Sequence, residues 1–316
     1  VQVIDEAQYI KNAGTQAAKG VKKITAAFKL ALTGTPIENR LSELWSIFDY
    51  LMPGFLYTYQ KFREEIETPI VVNKDENKME RLQRMIRPFI LRRLKGDVLK
   101  DLPEKIEENV FARLDGEQMQ LYDAYATRMK EMLSQQNEKE FQKGRMQILS
   151  ELTKLRQLCC DPALVYENYE GGSAKLDLCI ELIQSAVESG HKILLFSQFT
   201  SMIEILTARL QEESISCFVL QGSTKKERRA QMVEQFNRDD TSVFCISLKA
   251  GGTGLNLTGA DIVIHYDPWW NVAVENQATD RAHRIGQKNV VTVYKLIAKG
   301  TIEEKIIKLQ QMKKEL

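Results

Sequence analysis

Short apolar runs and stretches of helical periodicity alternate along this chain, and that pattern predicts an α/β fold. In the second half, the strand-like run "ILLFS" (193–197) is followed by the amphipathic stretch "MIEILTARLQEE" (202–213), and "VFCIS" (243–247) is a further strand-like run. Strands that alternate with helices usually form a mostly parallel sheet wrapped by helices. Further strands of this sheet are predicted at "CFVLQG", "IVIHY" and "VVTVYKL".

The first third of the chain shows the same alternation in shorter form. "VQVI" (1–4) and "KLAL" (29–32) predict two short strands, and "LSELWSIFDYL" (41–51) places its apolar residues on one helical face. Alternate apolar positions in residues 106–114 suggest a strand that closes this domain. Asp115-Gly116 then predicts a turn, at which we expect the domain boundary.

Two stretches outside the strands predict helices that support the second domain. Apolar residues recur at helical spacing near 118–165, which we interpret as core-facing stripes of a helical insertion. The last residues, "TIEEKIIKLQQMKKEL" (301–316), predict an amphipathic helix that closes the chain.

Composition limits the class of protein. The chain has 316 residues, which is too many for one ordinary core and suits two domains. With 43% hydrophobic and 28% charged residues it has the composition of a globular protein, and no apolar run is long enough to cross a membrane. The formal net charge is +1, so any nucleic-acid surface must be local.

The five cysteines show no CxxC pair and no disulfide spacing, which predicts reduced thiols in an intracellular protein. A metal site could be imagined from Cys159, Cys160, Cys179 and His191. Buried thiols are the better interpretation, because adjacent cysteines rarely both point at one ion.

Polar residues follow four of the predicted strands at their carboxyl ends. They are Ser197 and Gln198, Gly222, residues 247–256, and residues 267–271. Parallel sheets of this class bind ligands beyond the carboxyl ends of their strands. This clustering therefore predicts a ligand site at that edge.

Three short motifs have the chemistry of a nucleotide site, although each alone also fits an ordinary surface. Asp5 and Glu6 follow a strand, where paired carboxylates suit a nucleotide-bound Mg²⁺. The glycines of "KAGGTGLN" (249–256) leave backbone N–H groups open to phosphates. Arg281 and Arg284 are three positions apart, which on a helix places two guanidinium groups on one face.

The motifs in order are "DEAQ", "LTGTP", "LFSQFT", "SLKAGGTGLNL", "DPWWN" and "QATDRAHRIGQ". This order resembles motifs II to VI of superfamily-two helicases, and specifically the Swi/Snf family of ATP-driven double-stranded DNA translocases. "TPIENRLSELWSIFDYLMPG" and "PFILRRLKGDVLKDLPEK" are further Swi/Snf-like signatures. The resemblance covers nearly the whole chain and implies two RecA-like lobes with helical insertions, with ATP bound between the lobes and DNA across both.

The resemblance also implies roles for individual residues. Asp5 would hold Mg²⁺ and Glu6 would orient the attacking water. Arg281 and Arg284 would be arginine fingers, with Gln277 beside them.

Further roles are implied for the loops. Gly252, Gly254 and Asn256 would lie against the nucleotide. Thr33 and Thr35 would couple the nucleotide state to DNA. The nucleic-acid contacts implied are those of Thr33, Thr35, Ser197, Gln198, Ser247, Lys249 and Trp270, with Trp269 the better candidate for the core.

One departure from the family pattern is clear. The chain contains no G-x-x-x-x-G-K-[ST] and begins at Val1 inside an apolar run. We therefore expect a fragment of a longer protein that is inactive alone. Residues 1–115 would be the carboxyl-terminal part of the first lobe with a helical protrusion. Residues 116–300 would be the second lobe with its insertion, and residues 301–316 a bracing helix.

The resemblance implies that the intact protein is a DNA-stimulated ATPase, using ATP and Mg²⁺, that moves along double-stranded DNA. Protein–DNA complexes would be its remodelling target. It would act as a monomeric motor in the cytoplasm or nucleoid of a bacterium or in a eukaryotic nucleus, with no membrane partner. The alternatives are an RNA-directed helicase with the same core and a non-enzymatic nucleic-acid-binding module.

Overall fold

The computed structural model describes residues 1–34, 40–93, 95–135, 144–248, 250 and 254–314. The chain separates into two compact units, Val1–Val98 and Leu99–Leu316. Within the described residues, none of the helices combines the length and the apolar character needed to cross a membrane.

The first unit contains a small parallel sheet and a group of helices. β1 (Gln2–Ile4) pairs with β2 (Lys29–Ala31), as the two short apolar runs predict. The helices are α1 (Gln16–Lys22), α2 (Leu41–Leu51), α3 (Tyr59–Phe62), α4 (Thr68–Asn73), α5 (Glu76–Ile86) and α6 (Lys95–Val98). A π-helical turn, Arg63–Glu67, joins α3 to α4, and short 3₁₀ turns occupy Ala7–Ile10 and Arg87–Phe89.

The core of the first unit forms around α2. Leu44, Trp45 and Phe48 of this helix pack with Phe62 and Leu82. The helix therefore buries the apolar face that its sequence periodicity predicts. The Ser46 hydroxyl, also on α2, donates to the carbonyl of Ile10 (2.7 Å) and so ties α2 to the turn that follows β1.

The second unit is a parallel α/β domain with a six-stranded sheet in the order β3-β8-β7-β4-β6-β5. The strands are β3 (Lys105–Ala112), β4 (Ile193–Ser197), β5 (Cys217–Leu220), β6 (Val243–Ser247), β7 (Ile262–His265) and β8 (Val291–Ala298). Every pairing in it is parallel. The predicted α/β fold is thus confirmed.

Helices cover both faces of this sheet. They are α7 (Gly116–Ser134), α8 (Arg145–Cys160), α9 (Ala174–Glu188), α10 (Thr200–Glu212), α11 (Lys226–Arg238), α12 (Val272–Thr279) and α13 (Ile302–Lys314). Alternate residues of β4 enter different cores, with Leu195 in the cluster on α9 and α10 and Leu194 in the cluster on α11 and α12. The strand is buried on both faces, which explains its continuous apolar sequence.

The helical insertion has a core of its own. α7 and α8 bury Tyr122, Met129 and Leu155 together with Ile302 of α13. The buried Lys175–Glu303 ion pair (2.5 Å) holds α13 to the start of α9. Burial by itself lowers the pKa of Lys175. The charge of the Glu303 carboxylate and its hydrogen bond to Lys175 act in the opposite direction, and the resulting pKa is raised to about 12.

Strand β3 differs from the expectation that it closes the first domain. It pairs with β8 along its whole length, Lys105 opposite Val291 and Ala112 opposite Ala298, and so belongs to the second sheet. The two compact units accordingly part between Val98 and Leu99, ahead of the turn at Asp115-Gly116. Alternating polarity predicts a strand with one buried face, but it does not identify the sheet that the strand joins.

Candidate functional site

The carboxyl edge of the second sheet carries the candidate site. β4 lies between β6 and β7, and the chain leaves it toward β5 on one side and later reaches β7 on the other. This reversal of strand order is a topological switch point, where parallel sheets open a crevice. The segments after β4, β6 and β7 therefore meet at one edge, as the strand-end clustering predicts.

Asp267, two residues after the end of β7, organises this edge. Its carboxylate accepts hydrogen bonds from the Ser197 hydroxyl (2.6 Å) and the Gln198 backbone N–H (3.2 Å) on the neighbouring strand end. The side chain is fully buried. Burial raises the pKa of Asp267, and the nearby Arg156 guanidinium opposes that shift.

Arg156 extends from α8 to the same carboxylate. Its Nη2 lies 3.3 Å from Asp267 Oδ2 and donates to the Pro268 carbonyl at 2.8 Å. The guanidinium carbon lies 5.1 Å from the Trp269 ring centroid and 5.9 Å from that of Trp270. The helical insertion thus contacts the strand-end loops through one buried cation.

The two tryptophans are both half-buried and pack in different directions. Trp269 packs against the core of the sheet, whereas Trp270 packs against the helical insertion. The Trp269 backbone N–H donates to the buried Glu275 (2.7 Å), a residue of α12 whose pKa burial raises. Gln310 of α13 donates to Glu275 as well (3.0 Å).

Two predicted nucleic-acid contacts are buried. Ser197 donates to Asp267, and the Ser247 hydroxyl accepts from the Ala250 N–H (3.2 Å). Both are at most 2% exposed, so these hydroxyls shape the loops, which differs from the DNA contact that we expected. Gln198 is half-buried, and Lys249 lies outside the described residues.

The glycine-rich loop is described from Gly254 onward. Gly254 has a φ of +51°, in the left-handed region that favours glycine, and Asn256 is exposed. Gly252 lies outside the described residues.

The arginine pair is not helical, and this part of the prediction is wrong. α12 ends at Thr279, and isolated turns follow, in which the N–H groups of Ala282 and His283 donate to the Thr279 carbonyl. Gly286 has a φ of +102°, in the left-handed region, and changes the direction of the chain after the arginine pair. Arg281 is buried and Arg284 half-buried, while Gln277 lies half-buried on the preceding helix.

In the first unit, the "DEAQ" and "LTGTP" motifs are joined by hydrogen bonds. Gln8 Nε2 donates to Glu6 Oε2 (2.5 Å), and the Thr33 hydroxyl donates to Gln8 Oε1 (2.7 Å). Glu6 has a left-handed φ of +53°, and its N–H donates to Asp5 Oδ1 (2.9 Å). The second threonine, Thr35, lies outside the described residues.

The acidic pair suits a magnesium ion that arrives with a nucleotide. Carboxylate oxygens are the ligands that Mg²⁺ accepts, and it usually keeps several waters and takes phosphate oxygens as well. In the described part of the chain, no three His, Cys, Asp or Glu side chains are grouped to hold a metal by themselves. Cys159, Cys160 and Cys179 are buried free thiols, as predicted.

Comparison with known families agrees with the motif order. The model of the SNF2-related domain matches residues 1–164, and that of the helicase conserved C-terminal domain matches residues 174–286. The chain belongs to the SNF2 family. Its two motif sets therefore correspond to two recognised parts of SNF2 ATPases.

Relatives from bacteria and eukaryotes align over nearly the whole chain. An uncharacterised ATP-dependent helicase of Mycoplasma pneumoniae is 44% identical over 99% of this chain and 30% of its own length. The putative ATP-dependent helicase/translocase YwqA of Bacillus subtilis is 43% identical over 99% of this chain and 34% of its own length. The chain thus spans about a third of the length of these SNF2-family relatives.

Solved structures give the same assignment. The Sulfolobus solfataricus SWI2/SNF2 ATPase core in complex with dsDNA aligns over 100% of this chain and 68% of its own, with a TM-score of 0.58 and 38% identity. A second structure, the Sulfolobus solfataricus SWI2/SNF2 ATPase core domain, aligns with a TM-score of 0.57 and 39% identity, over 99% of this chain and 66% of its own. The α/β fold described above is therefore that of RecA-like lobes of SNF2 ATPase cores.

Arg156 and Gln287 are buried polar residues that the sequence did not predict as part of the site. Arg156 stands in the leucine-rich stretch "LTKLRQL" (152–158), where a charge on a core-facing position is the signal for a buried partner. Gln287 ends the arginine motif and is 7% exposed. Arg156 bonds to Asp267 and Pro268, and Gln287 to Thr258 and Ala260, so these partners lie far away in the chain and no local spacing points to them.

Proposed function

We propose that this chain is part of an ATP-driven translocase that moves along double-stranded DNA and remodels protein–DNA complexes. The observation that carries the proposal is the meeting of the motif loops at the carboxyl edge of the second sheet. That is where a parallel sheet of this class acts on its ligands. Because the chain spans about a third of the length of its relatives, hydrolysis of ATP by the whole protein is part of this proposal.

In the first unit, Asp5 would hold Mg²⁺, which on binding would neutralise charge on the phosphates. Glu6 would orient the attacking water, and its contact with Gln8 supports that role by fixing the carboxylate. The same Gln8 accepts from Thr33 (2.7 Å), so a change at Glu6 can reach the "LTGTP" segment. This connection supports coupling of hydrolysis to movement.

In the second unit, Arg281 and Arg284 would meet the charge that develops on the γ-phosphate. Planar guanidinium groups match phosphate oxygens and stay charged at every physiological pH. Gln277, Gly254 and Asn256 would contribute nucleotide contacts from the neighbouring segments, as would Gly252.

Duplex DNA is the nucleic acid that we propose, with contacts mainly to phosphates. The exposed Lys225, Lys226 and Arg228 stand where α11 begins, after the carboxyl end of β5 and thus at the same edge as Gln198. Lysine and arginine at such an edge suit the phosphate backbone and read little sequence. The similar Sulfolobus solfataricus SWI2/SNF2 ATPase core, which was solved in complex with dsDNA, supports this choice.

An ATPase assay separates the duplex-DNA proposal from the RNA-directed alternative. Turnover by the whole protein is measured without nucleic acid, with duplex DNA and with single-stranded RNA of equal length. We expect stimulation by duplex DNA. Stimulation by RNA alone would favour the RNA-directed helicase, and absence of hydrolysis under all three conditions would favour a binding module.

A further inference from the structure

The segment that carries Arg281 and Arg284 needs a structural support other than a helix. α12 ends at Thr279, and only short turns follow before Gly286. Turns of this kind leave a segment mobile unless side chains hold it. The buried Gln287 comes directly after these turns.

Gln287 uses its whole hydrogen-bonding capacity on backbone groups. Its Nε2 donates to the carbonyls of Ala260 (2.7 Å), Ala282 (3.1 Å) and Thr258 (3.3 Å). Its Oε1 accepts from the N–H groups of Lys288 and Asn289, both at 2.9 Å. One amide thus joins the arginine segment to the loop of residues 254–260.

That loop also bonds to both arginines. The Leu257 N–H donates to the Arg281 carbonyl (3.0 Å). Arg284 Nη1 donates to the Leu255 carbonyl (3.0 Å). The positions of the arginines therefore depend on the position of residues 254–260.

Asn237 of α11 holds the loop from its other side. Its Nδ2 donates to the Asn256 carbonyl (2.8 Å), and its Oδ1 accepts from the Gly259 N–H (2.9 Å). A Cβ on Gly259 would lie 2.9 Å from Asn237 Oδ1 and 3.1 Å from its Cα, so only glycine permits this approach.

We propose that Gln287 is a positioning residue that sets Arg281 and Arg284 for their reaction, by holding their segment against residues 254–260 with the help of Asn237. The proposal rests on the proposed function, because it takes the arginines to act on a triphosphate. An uncharged amide supplies both the two N–H groups that face these three carbonyls and the oxygen that accepts from two N–H groups at this buried position. Methionine has similar length and offers none of these bonds, so Gln287→Met tests them with little change of volume.

Amide hydrogen exchange tests the support itself. In the whole protein, Gln287→Met should speed exchange of the Leu257 N–H by about tenfold, because the buried bonds that hold the loop are lost. Leu257 is the informative amide, since it bonds to Arg281 and not to Gln287. Gln211→Met, an exposed residue of α10, is the matched control and should leave it unchanged. Equal exchange in Gln287→Met and wild type would overturn the proposal.

A double-mutant cycle tests the action through the arginines. Gln287→Met should lower DNA-stimulated kcat on the order of 10²-fold, as small misplacements of catalytic groups do, with the KM for ATP within about twofold. In an Arg284→Ala background the same change should have a smaller effect, because Arg281 alone is then left to be positioned. An equal factor in both backgrounds would show a general structural role and overturn the proposal.

Two further outcomes are distinguishable. If Gln287→Met does not fold, Asn237→Ala takes its place, because Asn237 is exposed and its loss releases the same loop. It should speed Leu257 exchange, and unchanged exchange would overturn the proposal. If Arg281→Ala and Arg284→Ala leave kcat unchanged, the proposed function of the arginines is wrong. The positioning role of Gln287 is then wrong as well, even if exchange at Leu257 shows that Gln287 holds the loop.

Discussion

Arg281 and Arg284 show how single side chains at this site take their positions from backbone groups. Arg281 is joined through its carbonyl to Leu257, and Arg284 through its guanidinium to Leu255. The motif lies within the match to the helicase conserved C-terminal domain, but the helix inferred from its spacing is absent. Two residues three positions apart share one face only where the chain between them is helical, and α12 ends before Arg281.

The arginine pair has a kinetic prediction. In the whole protein, Arg281→Ala or Arg284→Ala should lower DNA-stimulated kcat by on the order of 10³–10⁵-fold, the usual contribution of an arginine finger. Arg284→Lys should recover only part of the loss, because an ammonium lacks the planar fork. DNA affinity should change little. Arg238→Ala, on an exposed position of α11, is the control, and lost DNA binding with intact basal hydrolysis would reassign the arginines.

His265 makes stability depend on pH. Desolvation by burial, with Lys295 nearby, lowers the pKa of His265 from 6.5 to about 3. The folded protein therefore keeps this imidazole neutral, while the unfolded chain takes up a proton below its ordinary pKa. The contribution of His265 is complete above pH 6.5 and is lost as the pH falls toward 3, by up to ~1.4 kcal/mol per pH unit.

Urea denaturation at pH 7 and pH 5 measures this effect. The stability of His265→Gln should fall less between the two pH values than that of the wild type, since glutamine takes up no proton. The comparison separates the pH effect of His265 from that of the buried carboxyls Asp267, Glu275 and Glu303. Their raised pKa values favour the folded state as the pH falls. Equal pH dependence in both proteins would contradict the account.

At the scale of elements, α8 is joined to the strand ends by a buried charge pair. Arg156 and Asp267 are 2% and 0% exposed, and both also bond to neighbouring backbone. Such a pair gives little net stability, but loss of one partner leaves a buried charge without compensation. The pair therefore fixes where the helical insertion meets the segment that carries Trp269 and Trp270.

Single and double substitutions of this pair should differ strongly. Arg156→Met should lower the free energy of unfolding by ~3–5 kcal/mol, and adding Asp267→Asn should restore part of it. Arg238→Met, which breaks an exposed pair with Glu234, should cost below ~1 kcal/mol. Urea denaturation at pH 7 measures all three, and similar losses for Arg156→Met and Arg238→Met would show that the buried pair is not structural.

Local pattern predicts the elements better than their tertiary partners. β4 and β6 follow from continuous apolar runs, and α2 from its helical stripe, because burial imposes those periods directly. The pairing of β3 with β8 joins residues far apart in the chain, and no local pattern encodes it. The same holds for Ser197, whose hydroxyl meets Asp267 only after both strands enter one sheet.

At the scale of the whole molecule, a net charge of +1 conceals local basic surface. Lys225, Lys226 and Arg228 are exposed at the start of α11. Arg87, Arg92 and Arg93 form a second group of exposed cations in the first unit. Acidic surface elsewhere balances them, so we expect binding to be governed by location and not by total charge.

Salt dependence measures the basic surface of the second unit. Each phosphate neutralised by a cation contributes about −0.9 to the slope of log affinity against log salt concentration. The double variant Lys225→Ala/Lys226→Ala should flatten that slope by the contribution of about two phosphate contacts. It should weaken binding to all DNA sequences alike. Trp270→Ala should leave it nearly unchanged, because an indole releases no counterions. Lys130→Ala, exposed on α7, is the control, and an unaltered slope in the double variant would remove these lysines from the DNA surface.

Displacement of a third strand from a DNA triplex tests the central claim most directly, because it requires movement along the duplex. The whole protein is given a duplex that carries the triplex-forming strand, with ATP or with a non-hydrolysable analogue. We predict displacement with ATP alone, its loss in Arg284→Ala, and its retention in Gln211→Met. Equal displacement with the analogue, or none with ATP under conditions where duplex DNA stimulates hydrolysis, would contradict the account.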